Sequence, residues 1–424
     1  VIKFLIKGVI RDKSRSFFPI ITVMSGVMLC VVGYSWIKGA EANMIDTSAK
    51  FNTGHVKITS RAYAEEADQV PNDLAYIGVD SLTQELKNDF PGFLWTPRIR
   101  FGGLIDIPDE QGETQAQGPV AGLAVDLYSK TGLEAGILNL EEAVVRGHVP
   151  ANPGEILISE DFAINLGVKP GDIATLISVT MYGSMAVTNF TIAGTIRFGV
   201  AAMDRGAMIA DIKDIQSALD MDDAAGEILG FFKDFVYREE IATSVTSRFN
   251  SLYEKTDDEF SPVMDTLRNQ TGMAELLDMM SVFGSAMILI FVVAMSIVLW
   301  NAGLMGSLRR YGEIGVRLAM GETKNHLYRS MILESLVIGF IGTVLGTVLG
   351  LTLSYYLQAH GVDYGSLMKN ASLVLSNVMR AKVTWFSHVI GFIPGFLATF
   401  LGAAISGLGI FRRETSQLIK ELEA

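Results

Sequence analysis

The chain has 424 residues, 49% of them hydrophobic, a net charge of −12 and one cysteine, Cys30. The acidic balance excludes nucleic acid as a partner, because phosphate binding needs a basic surface. A lone cysteine excludes an intramolecular disulfide and a CxxC metal or redox site, so a soluble domain here must stand on its own apolar core.

Residues 1–16 place Ile2, Leu5, Ile6 and Val9 on one helical face and Lys3, Lys7 and Arg11 on the other. That pattern predicts an amphipathic helix on the cytoplasmic membrane surface; the plainer reading is a basic flank to the span that follows. A bilayer core is crossed by about 20 apolar residues in a helix. Four segments qualify, at 17–38, 279–306, 331–357 and 385–411. The first is too long for the apolar core of a signal peptide and no small-residue cleavage site follows it, so it reads as a retained span.

Orientation follows from the Lys and Arg residues near the span ends. Lys3, Lys7, Arg11, Lys13 and Arg15 precede the first span; Arg309, Arg310, Arg317, Lys324 and Arg329 lie between the second and third; Arg412, Arg413 and Lys420 follow the fourth. These three sets predict a cytoplasmic side holding both termini, against a weaker set of Lys369, Arg380 and Lys382 in residues 358–384. Residues 41–276 carry 17 Lys and Arg against 37 Asp and Glu, a local charge of −20 that leaves +8 for the remainder. The acidic part is therefore expected outside and the basic part beside the anionic inner leaflet.

The fold class predicted is a membrane protein of four transmembrane α-helices, with a large α+β extracytoplasmic (periplasmic) domain at 39–278 between spans 1 and 2. A length above 200 residues suffices for a core of its own. Within that domain Gly54–Thr59, Gly154–Ile158, Ile173–Val179, Val187–Ile196 and Ala207–Ala210 read as strands. Ser159 and Asp211 read as helix caps, and Lys169-Pro170-Gly171-Asp172 as a turn. The strand signals crowd into a small subdomain near residues 105–205. Gly39–Lys50 and Met264–Met280 read as helices joined to spans 1 and 2. Such helices would carry a tilt of the spans into the outer domain, or serve simply as connections.

Residues 307–330, between spans 2 and 3, predict a short cytoplasmic helix. Arg310, Glu313 and Arg317 share one side, with Glu313 and Arg317 an i,i+4 pair. Ile314, Leu318 and Met320 supply apolar knobs, and Gly321 is a stop. A mixed-charge helix with exposed apolar knobs suits a protein partner, while a positive-inside joining loop explains it equally well. In the third span Gly342, Gly346 and Gly350 recur every four residues on one face, the pattern of close helix packing in lipid. In the fourth, Pro394-Gly395 predicts a kink. Met24, Met28, Trp36, Phe283, Met287 and Phe291 in spans 1 and 2 are adaptable apolar side chains. They suit an amphiphile cavity or plain packing and lipid contact.

The run from Arg309 to Gly350, RRYGEIGVRLAMGETKNHLYRSMILESLVIGFIGTVLGTVLG, resembles the signature of the FtsX/MacB-type permeases of ABC transporters. On that resemblance Arg310, Tyr311, Glu313-Ile314-Gly315 and Arg317-Leu318-Ala319-Met320-Gly321 match the segment that docks on the ATPase, and Glu334 with the following glycines opens the next span. Gly154–Leu176 and Met203–Leu219 resemble the extracytoplasmic domain of the same families. The stretch Asn52–Ile58 is most similar to the LolC/LolE lipoprotein-releasing branch, in which the first two spans line the lipid-accepting cavity.

No GxxxxGK[ST] phosphate loop, no GxSxG nucleophile and no ligand spacing among the five histidines occurs, so neither a catalytic nor a metal site is expected. The resemblance implies a non-enzymatic transport subunit of the inner membrane with no cofactor of its own. ATP and Mg would be bound by two copies of a cytoplasmic ATPase, with a second permease subunit, same or homologous, completing the complex. The substrate implied is a lipoprotein or other amphiphile taken from membrane lipids. Efflux of a drug or peptide, as in the MacB branch, and activation of a cell-wall hydrolase, as in FtsX, are the other readings.

Overall fold

The computed structural model describes residues 13–109, 111–129, 132–198, 201–253, 258–270, 272–308, 311–363 and 378–408. The surface helix expected over 1–16 lies outside these residues but for its last four, and so do Arg310, residues 364–377 and the tail at 412–424. The chain forms two units, one built from the long helices and one spanning Asn43–Leu277.

Among the described residues four helices are long and apolar enough to cross a membrane: Phe17–Thr53, Met273–Asn301, Lys324–His360 and Trp385–Gly407. The first is built on α1 (Lys13–Ser48), the second on α2 (Met273–Leu308). A short α3 (Tyr311–Ala319) precedes α4 (Lys324–His360). At 37 residues α4 rises about 55 Å, well beyond a hydrocarbon core of about 30 Å. It takes in residues 324–330, which the sequence reading gave to the loop.

The helical unit is held by Val23, Val27, Val31 and Tyr34 of α1 packed with Leu299 and Ile390. The glycine face of α4 abuts α1. A methyl group on Gly342 would fall 2.7 Å from the Val23 Cβ, on Gly346 2.5 Å from the Met24 carbonyl oxygen, and on Gly350 2.8 Å from the Val31 Cβ. Hydroxyls tie the C-terminal half of α1 to the start of the fourth passage, with Ser35 donating to Ser387 at 3.2 Å and Thr384 to Tyr34 at 3.2 Å.

The fourth passage departs from a single α-helix. It runs as a 3₁₀ turn (Trp385–His388), a π-helical stretch (Ile393–Ala398) and α5 (Thr399–Gly407). Pro394 cannot donate its missing N–H, so the α-helical ladder breaks there and the wider turn takes up the extra residue.

The second unit is a ten-stranded sheet with helices. Its strands, with two short extra pairs, are β1 (Val56–Ser60), β2 (Tyr76–Ile77), β3 (Phe93–Pro108), β4 (Thr114–Val125), β5 (Val144–Gly147), β6 (Glu155–Ser159), β7 (Ile173–Val179), β8 (Met185–Ile196), β9 (Ala207–Asp211), β10 (Ala224–Ala225), β11 (Glu227–Phe232) and β12 (Pro262–Thr266). β13 (Val362–Asp363) and β14 (Val378–Met379) pair within the helical unit. The order is β12-β1-β11-β3-β4-β9-β6-β8-β5, and β7 bridges β8 back to β3. The ladder β3-β4-β9-β6-β8-β7 thus closes on itself, which leaves those strands no free edge. Side-chain alternation divides the two faces: Ile105, Val120, Ile156, Ile158, Leu176, Phe190 and Met208 join one core. Leu157, Ile196 and Ile209 join a second core with Leu138 and Leu140.

The strands expected at Gly54–Thr59, Gly154–Ile158, Ile173–Val179, Val187–Ile196 and Ala207–Ala210 are β1, β6, β7, β8 and β9. Gly171 turns with φ +100°. Asp211 caps the helix Ile212–Ala218 by accepting from the Lys213 N–H at 2.8 Å. Ser159 stands at the head of the helix Glu160–Leu166, but its hydroxyl makes no capping bond. Met264–Met280 is not one helix. Residues 262–266 alternate buried and half-buried and pair with β1 as β12; helix resumes only at Met273, after Gly272 at φ +72°. β12 is the edge of the described sheet, and the Asn250 side chain occupies both main-chain groups of Met264, accepting from its N–H at 2.8 Å and donating to its carbonyl at 2.9 Å.

Candidate functional site

The segment between the second and third helices is a capped helix with one buried side. α3 ends in a Schellman turn: the Glu322 N–H reaches the Arg317 carbonyl at 3.1 Å and the Gly321 N–H the Leu318 carbonyl at 3.0 Å, with Gly321 at φ +93°. Ile314 is not an outward knob. It is buried against Leu327 and Met331 of α4, with Leu318 and Tyr328 beside it, because α4 begins early enough to offer it an apolar face. Among the described residues Met320, 75% exposed, and Val316 are large apolar side chains left outward.

Arg317 has a described partner in Glu322, while the Glu313 side chain of the expected i,i+4 pair lies outside the described residues. Its guanidinium forks onto Glu322, Nε to Oε2 at 2.7 Å and Nη2 to Oε1 at 2.8 Å. That hydrogen bonding holds the Glu322 carboxyl below the usual range. Gly315 is buried within α3, and Tyr311 and Glu313 lie on its first turn. α3 is thus a compact, charge-bearing helix pinned to α4.

Of the six side chains proposed for an amphiphile cavity, Trp36, Met287 and Phe291 come together. With Cys30, Gly33, Tyr34, Ile37, Ile288, Val292 and Ile390 they line an apolar cavity of about 190 Å³ between α1 and α2. Met24 and Met28 lie outside it, with their carbonyl oxygens facing Gly346 and Gly350. Phe283 is exposed and lines no part of it. Gly33, absent from the sequence reading, makes room for the Phe291 ring, whose nearest atom lies 3.3 Å from where a methyl group would sit.

A third group went unnoticed in the sequence. After Ser48, α1 widens into a π turn, Ala49–Thr53, closed by Gly54 at φ +59°. A helix end leaves carbonyls without partners and a partial negative charge. Here side chains from elsewhere meet them in succession. Arg98 donates to the Lys50 carbonyl at 2.7 Å, Arg100 to the Phe51 carbonyl at 2.9 Å and to the Asn52 amide oxygen at 3.0 Å, and Gln270 to the Thr53 carbonyl at 2.9 Å. Arg98 and Arg100 share one face of β3, two residues apart. Arg98 is fully buried and also forks onto Glu134, at 2.9 and 2.8 Å, where Thr96 donates at 2.7 Å. Arg100 and Lys57 both reach Glu227, at 3.3 and 2.7 Å. Burial pushes the Glu227 carboxyl up, but Lys57 and Arg100 outweigh it and hold the group below its ordinary range. Around this joint Ile45, Ala49, Leu229, Phe231, Leu267, Met273 and Leu277 form an apolar cluster. The readable signal was two arginines at i and i+2 in a strand-like run, Trp95–Phe101.

Residues 285–415 match the family described as FtsX-like permease C-terminal. The lipoprotein-releasing system transmembrane protein LolC of Xylella fastidiosa is 25% identical over 213 residues, 49% of this chain and 49% of LolC. An uncharacterised ABC transporter permease of Methanocaldococcus jannaschii is 25% identical over 158 residues, 37% of this chain and 39% of that one. The chain thus spans about half the length of the LolC relative and less of the other. The crystal structure of the periplasmic region of MacB from Actinobacillus actinomycetemcomitans covers 52% of this chain and 95% of its own, at 13% identity and a TM-score of 0.34. The chain therefore carries an FtsX-like permease domain and is a homologue of LolC and of ABC transporter permeases.

Proposed function

We propose that the chain is the permease subunit of an ABC transporter of the inner membrane, moving a lipoprotein or similar amphiphile out of the bilayer with energy from a separate ATPase. The observation that carries this reading is α3, a capped helix inside the FtsX-like domain, pinned to the spanning helix α4 through Ile314 and open to a partner through Val316 and Met320. Two ATPase copies, binding ATP and Mg, would serve two permease subunits. The positive-inside pattern supports a cytoplasmic α3 and a sheet unit outside. The cavity lined by Trp36, Met287 and Phe291 is smaller than the roughly 300–1,000 Å³ of small-molecule sites. It suits part of an acyl chain rather than a whole drug, which favours an amphiphile over the efflux reading.

Purification in gentle detergent with mass spectrometry tests the assignment. An ATPase with acylated lipoprotein supports it; an ATPase with a periplasmic adaptor or a cell-wall hydrolase moves the reading to efflux or signalling, and no ATPase at all removes it. Replacing Glu313 and Arg317 with alanine should lower ATPase association or uncouple hydrolysis while insertion proceeds. Full coupling in that variant sinks the role given to α3.

A further inference from the structure

We infer that the side chains gripping the end of α1, Arg98, Arg100 and Gln270, are the positioning residues through which motion of the first span is delivered to the sheet unit. The inference rests on the permease reading above.

The argument starts from an accounting of carbonyls. A helix that stops inside a protein must find donors for its last carbonyls, and most do so locally, through a glycine turn. Gly54 supplies one such bond, its N–H reaching the Ala49 carbonyl at 2.9 Å. The next four carbonyls, Lys50 to Thr53, are met by the arginines of β3 and by Gln270 beyond β12, with the Asn52 carbonyl the most distant at 3.4 Å. The donors are therefore fixed to β3 and to the turn that follows β12, and these two strands do not neighbour each other in the sheet. A displacement of residues 50–53 pulls on both. Arg98 cannot swing away, because its other donors are spent on Glu134, itself 1% exposed. Arg100 is likewise held by Glu227.

Magnitudes distinguish this from an ordinary helix end. Hydrogen bonds with a charged partner are stronger than neutral ones and stronger than an exposed terminal contact with the helix dipole. A helix end held this way moves with its strands instead of fraying. The covalent run from the first span to this grip is helical throughout, α1 passing directly into the π turn.

The test must spare the fold. Removing Arg98 would strand the buried Glu134, so the variant is Arg100→Gln with Gln270→Leu, both positions being only partly buried. The full chain is purified with its copurifying ATPase, and hydrogen exchange is followed with and without ATP, alongside ATP hydrolysis, lipoprotein release and thermal stability. In the wild type, ATP is expected to change exchange in β3 and β11. In the double variant that change should vanish, exchange at residues 49–54 should rise about tenfold, and release should fall severalfold while hydrolysis continues and the melting temperature is nearly kept. If the wild type responds and the double variant responds equally, the grip is not the route and the inference falls alone. If the wild type shows no ATP-dependent change in the sheet unit, the permease reading of this unit falls and the inference with it.

Discussion

Two buried charge arrangements set the sharpest expectations for single residues. Glu134→Gln leaves Arg98, fully buried, without its counter-charge; breaking a buried pair from one side costs about 3–5 kcal/mol. Urea unfolding of the full chain in micelles should show a transition shifted by that amount. His55 is 2% exposed, ringed by Phe231, Phe232 and Tyr237, and its Nδ1 accepts the Phe232 N–H at 2.9 Å. Burial pushes its pKa down to about 4 from 6.5. Between those values the unfolded chain takes a proton that the folded one refuses. The stability tied to His55 is complete above pH 6.5, falls by about 1.4 kcal/mol per unit as pH drops toward 4, and levels off below. His55→Asn, which keeps an acceptor but no titration, should flatten that slope in melts taken at pH 4.5 and 7. Neither role was legible beforehand. Arginine reads as a surface residue and histidine as intermediate on average, and only the partners brought in by β11 and by Leu133–Ile137 turn them inward.

Among elements, the glycine face of α4 makes a prediction in which two effects compete. Glycine in a helix costs about 0.5–1 kcal/mol relative to alanine, so Gly346→Ala gains on propensity. Its new methyl would sit 2.5 Å from the Met24 carbonyl oxygen and 2.8 Å from the Val27 Cβ, and overpacking costs about 1–3 kcal/mol. The clash should win and lower the melting temperature in detergent. Gly136→Ala, where nothing lies within 4 Å of the added group, should raise it slightly. The four-residue glycine spacing, the Gly321 stop and the Pro394 break were legible because each is a backbone property written locally. The inward turn of Ile314 was not, since it depends on how far α4 extends before the span begins. The helix expected from Met264 failed for the opposite reason: pairing with β1 decides those residues, and no local pattern announces it.

For the whole molecule, sidedness is the claim most open to direct trial. With Cys30→Ala as a cysteine-free background, Tyr182→Cys in the β7–β8 turn and Met320→Cys after α3 place thiols at two positions each 75% exposed. A membrane-impermeant maleimide should label the first in intact spheroplasts and the second only after permeabilisation; the reverse pattern would invert the orientation proposed from charge. The broad division into apolar helices and a sheet-rich unit was readable because hydropathy and charge change abruptly along the chain. The closed ladder of six strands was not, since closure depends on β7 reaching both β8 and β3, and sequence carries no mark for a strand with two partners. The open end of the sheet has a further consequence. Asn250 answers both main-chain groups of Met264 at the middle of β12, so a strand from another molecule would have to displace it before pairing there. A chain made at the membrane, waiting for its insert to fold, is thereby spared one template for fibre growth, and Asn250→Ala should show as faster aggregation of the purified protein with little loss of stability.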